Sequence, residues 1–268
     1  MNIIERNFFR LLRAGAFGQE EPLEPLSAWK WNRLYQLSEM HDVADITYRG
    51  LTLCSNQFFA QPPEALKLQW AGTVHHDDDD TNDLLAPDRL TNPVLNRRLQ
   101  AILDSEGSNT ETRSALLHLT GIARFVMNAG IPVKRVVALG VFLRQNSSAV
   151  DFNQLQEWVR QLQLAHMTQL AGVMLIKLLG FQADELPFIG MTTDERMERE
   201  VSNIIRQKNS HTEEWYFSQG KNIFVHTSNA TAMLWHVRRS AHYFSYYPME
   251  TLTNFFASFT HSLSHIEE

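Results

Sequence analysis

Cysteine is almost absent from this 268-residue chain, and Cys54 is its only representative. An intrachain disulfide is therefore impossible, and a zinc site built on several thiolates is excluded. In the setting Leu51-Thr52-Leu53-Cys54 the thiol reads as a small buried hydrophobe rather than a nucleophile. Glycine (12) and proline (9) are also scarce, together under a tenth of the chain, where about 12 % is usual. Both residues mark turns, and sheets need many turns, so a β-rich fold is disfavoured. No apolar run approaches the roughly 18 residues of a membrane span. The most apolar stretch, 170–179, is broken by Lys177. The start, Met1-Asn2-Ile3-Ile4-Glu5-Arg6-Asn7, has neither the uninterrupted apolar region nor the small-residue cleavage site of a secretory signal. Glycine-rich phosphate loops and the Gly-x-Ser-x-Gly nucleophile elbow are missing too. Nor is there an excess of positive charge: 24 Lys+Arg stand against 30 Asp+Glu, a net charge of −6. That balance argues against a dedicated nucleic-acid binder. These absences predict a cytoplasmic protein with no membrane or nucleic-acid partner.

What is present is helical periodicity, in segment after segment. Hydrophobic residues make up 44 % of the chain, enough to bury a core. Residues 3–14 place Ile3, Ile4, Phe8, Leu11 and Leu12 on one stripe, the i, i+3/i+4, i+7 spacing of an amphipathic helix. Gly15 and Gly18 stand where its end is expected. Ser27 is a candidate N-cap for a second helix carrying Trp29, Leu34, Leu37 and Met40. A short third helix is expected over Val43–Cys54. Further helices follow over 63–86, opened by Pro62-Pro63, and over 90–104. The polar segment 104–112 divides the chain into two helical halves, 1–104 and 113–268. In the second half, 111–129 ends at Gly130, Pro132 restarts the chain into Val133–Leu143, and Asp151 caps Phe152–Leu162. Residues 166–179 form an apolar helix closed by Gly180. Residues 193–208, 231–243 and 248–265 complete the set, and 213–228 is an aromatic stretch without clear periodicity. The best β-like run, Ile223-Phe224-Val225, is three residues long. The expected fold is all-α: one helical domain built as a multi-helix bundle from two halves, with about ten to twelve helices and little or no sheet.

Two groups of residues carry possible chemistry. The first is His75-His76-Asp77-Asp78-Asp79-Asp80 with Asp83. On a helix, His76 and Asp80 share a face, as do Asp79 and Asp83, so these four are the candidate metal ligands. Four consecutive aspartates point all around a helix, however, and a solvated acidic turn is the plainer reading. The second is Lys221, Arg238 and Arg239, which would bind an anion if they converge. They lie among Trp215, Tyr216, Phe217, Trp235, Tyr243, Phe244, Tyr246, Tyr247, Phe255, Phe256 and Phe259. Such aromatics at helical spacing form either core or a contact face for a protein partner. Among the histidines, His118 lies in the apolar run 116–119 and reads as a core residue. His261 and His265 are four apart but lack the acidic residue that would complete a helical zinc set.

The order of several segments resembles a bacterial nucleotidyltransferase-like family of the DNA-polymerase-β-type superfamily. The similar pieces are Leu11-Leu12-Arg13-Ala14, then Met40-His41-Asp42-Val43-Ala44 leading to Tyr48-Arg49-Gly50-Leu51. After them come Leu116-Leu117-His118-Leu119, Gly130-Ile131-Pro132-Val133-Lys134-Arg135, Asp151-Phe152-Asn153 to Trp158-Val159, Arg238-Arg239 and Tyr246-Tyr247-Pro248-Met249-Glu250. The resemblance implies helical parts flanking an α/β catalytic core that carries a Gly-Ser turn and an Asp-x-Asp pair, which hold Mg²⁺ for transfer of a nucleotidyl group. That core would fall between residues 104 and 114, where Gly107-Ser108 is followed by no strand and no Asp-x-Asp. Lys134 and Ala138 stand where the family pattern has Arg and Asp. The expectation is a non-catalytic binding or scaffold protein that needs no cofactor, its partner a protein on the aromatic C-terminal helices. The alternative is a divergent nucleotidyltransferase, in which case the acidic run would hold Mg²⁺.

Overall fold

The computed structural model describes residues 1–73, 89–105, 109–129 (side chains to 125) and 133–189, together with Val201 and Thr253. Among the described residues there are nine α-helices and no strand, in agreement with the all-α expectation. They are α1 (Ile3–Phe17), α2 (Ala28–Met40), α3 (Ala44–Leu53), α4 (Glu64–Ala71), α5 (Pro93–Leu103), α6 (Thr110–Ala129), α7 (Val133–Asn146), α8 (Phe152–Gln161) and α9 (Ala165–Leu179). Short 3₁₀ turns lie at Cys54–Asn56, Ser147–Ala149 and Ala183–Glu185. Of the helices expected beyond 189, only Val201 and Thr253 are described, and both are helical. The rest, with the run 223–225 and the second part of 63–86, lies outside the described residues.

The boundaries follow from local chemistry. Asn2 and Glu5 form a reciprocal capping box on α1, each side chain bonded to the other's backbone N–H at 2.9 Å. Ser27 caps α2 through its hydroxyl, and Asp151 accepts from the N–H groups of Asn153 and Gln154 at 3.0 Å to start α8. Asn92 caps α5, with Pro93 in the first turn, where its missing N–H costs nothing. Gly18 and Gly180 end α1 and α9 with φ of +67° and +72°, backbone that glycine adopts without strain.

Two expectations are corrected. The helix expected over 63–86 ends at Ala71, where Gly72 takes the C-cap position. Gly15 does not end α1; it lies inside the helix where α1 crosses α3. A Cβ there would sit 1.8 Å from the Ile46 carbonyl oxygen, and one on Gly50 would sit 1.9 Å from that of Leu11. The two backbones touch through a pair of glycines, so the residue reads as a helix stop in sequence and serves as a helix contact in space. This is the most extensive helix pair among the described residues.

The second half packs α6 against α7, α8 and α9 over a core of Leu116, Leu119, Val136, Leu139, Leu155, Leu170, Met174 and Leu175. The break at 104–112 covers the link after α5 and the first three residues of α6, yet α1 bridges it by packing on both α7 and α9. The Arg13 guanidinium donates to the Leu178 carbonyl at 2.7 Å, and Phe17 meets Phe181 edge to face at 5.8 Å. No helix among the described residues is long and apolar enough to cross a membrane.

Candidate functional site: an exposed apolar face beside α3 and α4

The most distinctive surface lies where α3 turns into α4. Buried Cys54, 1 % exposed, closes α3 into its 3₁₀ turn, as the sequence predicts. Burial also pushes its thiol pKa up, which removes thiolate character. Gln57 then ties the chain to the 18–27 segment. Its amide oxygen accepts from the Leu23 N–H at 2.9 Å and its amide nitrogen donates to the Glu21 carbonyl at 3.1 Å. On the far side Ala60 and Pro62 are buried, and α4 is anchored by Leu66 and Trp70. The Trp70 indole donates to the Ala44 carbonyl at 2.9 Å and meets the Tyr35 ring edge to face at 5.4 Å.

Between these anchors Phe58 and Phe59 project outward, 80 % and 45 % exposed, with their rings 5.2 Å apart. Leu53 on the last turn of α3 (44 %) and Leu68 on α4 (73 %) are exposed on the flanking helices. Scattered exposed apolar residues are ordinary; Phe58 and Phe59 stand out because they are adjacent and in ring contact on a held stretch. This stretch is not among the residues singled out from sequence, because the aromatics beyond 213 are more numerous. The available signal was Asn56-Gln57-Phe58-Phe59-Ala60-Gln61-Pro62-Pro63, two aromatics in a polar, proline-flanked stretch with no helical partners at i±3 or i±4.

The residues singled out from sequence, His76, Asp79, Asp80 and Asp83 for a cation and Lys221, Arg238 and Arg239 for an anion, all lie outside the described residues. So do the aromatics of 215–259. Among the described residues no group of three or more His, Cys, Asp or Glu side chains comes together as a metal centre.

Two interior features complete the inventory. His118 on α6 is 7 % exposed, its ring 5.2 Å from that of Phe142 on α7. Burial, with the Arg135 charge nearby, pulls its pKa down to about 4, so the imidazole is neutral at pH 7. It is a core histidine, as its apolar context implies. A small apolar hollow of about 10 Å³ lies among Phe9, Val133, Val136, Met174, Leu178 and Leu179. It is smaller than the roughly 300–1,000 Å³ of a ligand pocket, and it has no polar group to orient a substrate. It is a gap in the packing of α1, α7 and α9.

The α2–α3 turn and the start of α7 are neighbours in space. Lys134 in the first turn of α7 pairs with Asp42 in the α2–α3 turn at 2.8 Å. No family model, curated protein or solved structure matches the chain.

Proposed function

We propose that the chain is a non-catalytic helical binding or scaffold protein, related through its helical parts to nucleotidyltransferase-like proteins, and that it works in the cytoplasm. The observation that supports binding is the pair Phe58–Phe59, exposed together on a stretch held at both ends by Gln57 and by Ala60 with Pro62. A surface of this kind suits a protein partner: aromatic side chains supply much contact area, and a pinned backbone loses little entropy on docking. The aromatic segment near the C-terminus is a second contact face in the same reading. The relationship to nucleotidyltransferases rests on the order of the sequence segments alone.

A photo-crosslinking residue placed at position 58 tests the binding role. It is expected to trap one defined partner in cells, and Phe59→Asp is expected to abolish the trapping. A crosslinker at exposed Glu157 on α8 serves as the control. The reading fails if both positions give the same products. A second assay offers the purified chain Mg²⁺ or Mn²⁺ with each of ATP, CTP, GTP and UTP. Nucleotidyl transfer that is lost in Asp79→Ala and Asp80→Ala would overturn the non-catalytic assignment in favour of the enzyme.

A further inference from the structure

We draw no further inference here: the strongest candidate, the exposed Phe58–Phe59 pair between α3 and α4, already carries the proposed function, and nothing in the structure shows what covers it.

Discussion

The two ends of the described structure are held together by different means. In the N-terminal part, backbone meets backbone at the Gly15–Gly50 crossing, and the 18–27 segment is strapped to α1 by polar side chains. Fully buried Asn7 clamps the Glu24 backbone from both sides, donating to its carbonyl at 2.8 Å and accepting from its N–H at 3.0 Å. Arg6, Arg10 and Arg13, spaced along one face of α1, reach Glu24 and Glu21. In the C-terminal part, glycines face side chains instead. A Cβ on Gly140 would meet Phe17, Phe181 and Leu175 at 3.1–3.3 Å, and one on Gly172 would meet the end of Ile189. The α6–α9 packing is apolar, with His118 as its buried titratable group. A polar clamp and a close backbone contact both demand particular geometry. An apolar seam demands volume and tolerates adjustment.

The largest effect should come from the glycine crossing. Gly50→Ala puts a methyl group into the Leu11 carbonyl, and a backbone atom cannot rotate away, so the helices must separate. A loss of more than about 4 kcal/mol is expected in urea denaturation, or no folded protein at all. Gly172→Ala meets the Ile189 side chain, which can shift where a backbone carbonyl cannot, and should cost about 1–3 kcal/mol. Equal losses at the two sites would remove the distinction drawn between the two parts.

Acid should act on the two parts in different pH windows. His118 has its folded-state pKa lowered, so the unfolded chain takes up a proton more readily. The stability it contributes is complete above about pH 6.5 and is lost as pH falls toward about 4, with a ceiling of about 3 kcal/mol. Glu24 is held down to about 2 by its hydrogen bonds to Arg6, opposed by partial desolvation and helped by the Arg6 and Arg10 charges. Its contribution is present above about pH 4.5 and fades only as pH drops toward 2. Stability measured from pH 7 to pH 4 should therefore decline in the native chain and decline less in His118→Gln. An unchanged slope in that variant would show that the imidazole is not the group responsible.

Asn7→Ala should cost about 2–3 kcal/mol, because it strips two hydrogen bonds from the Glu24 backbone. Faster amide exchange at Glu24 would locate the damage. The smallest change is expected at Asp42, whose φ of +54° is one that Asn also tolerates. Asp42→Asn keeps that turn and removes the ion pair to Lys134. The Asp42 side chain is 80 % exposed, so thermal stability should shift by no more than about 0.5 kcal/mol.

Helix starts and stops were well marked along the chain: Ser27, Asp151, Gly18 and Gly180 cap as their residue types imply. Capping chemistry acts within four residues, so it can be read locally. Gly15 was misread for the same reason, because a glycine that permits a close approach looks like one that ends a helix until the opposing Gly50 is known. The candidate surface was not legible either. Leu66 and Leu68 differ by two positions on the same short helix, yet one is 4 % exposed and the other 73 %. Helical periodicity already puts the two on opposite faces, and the docking of Trp70 against Ala44 and Tyr35 decides which face is buried.

Composition and periodicity were enough to establish the helical class, the position of most helices and the burial of Cys54 and His118. These follow from short-range geometry and from the transfer of apolar side chains out of water, and both are written residue by residue. The crossing of α1 with α3, the strapping of the 18–27 segment, the pairing of Asp42 with Lys134 and the exposure of Phe58 and Phe59 were decided by tertiary structure. Each depends on which distant residue arrives opposite, and no local pattern encodes that meeting.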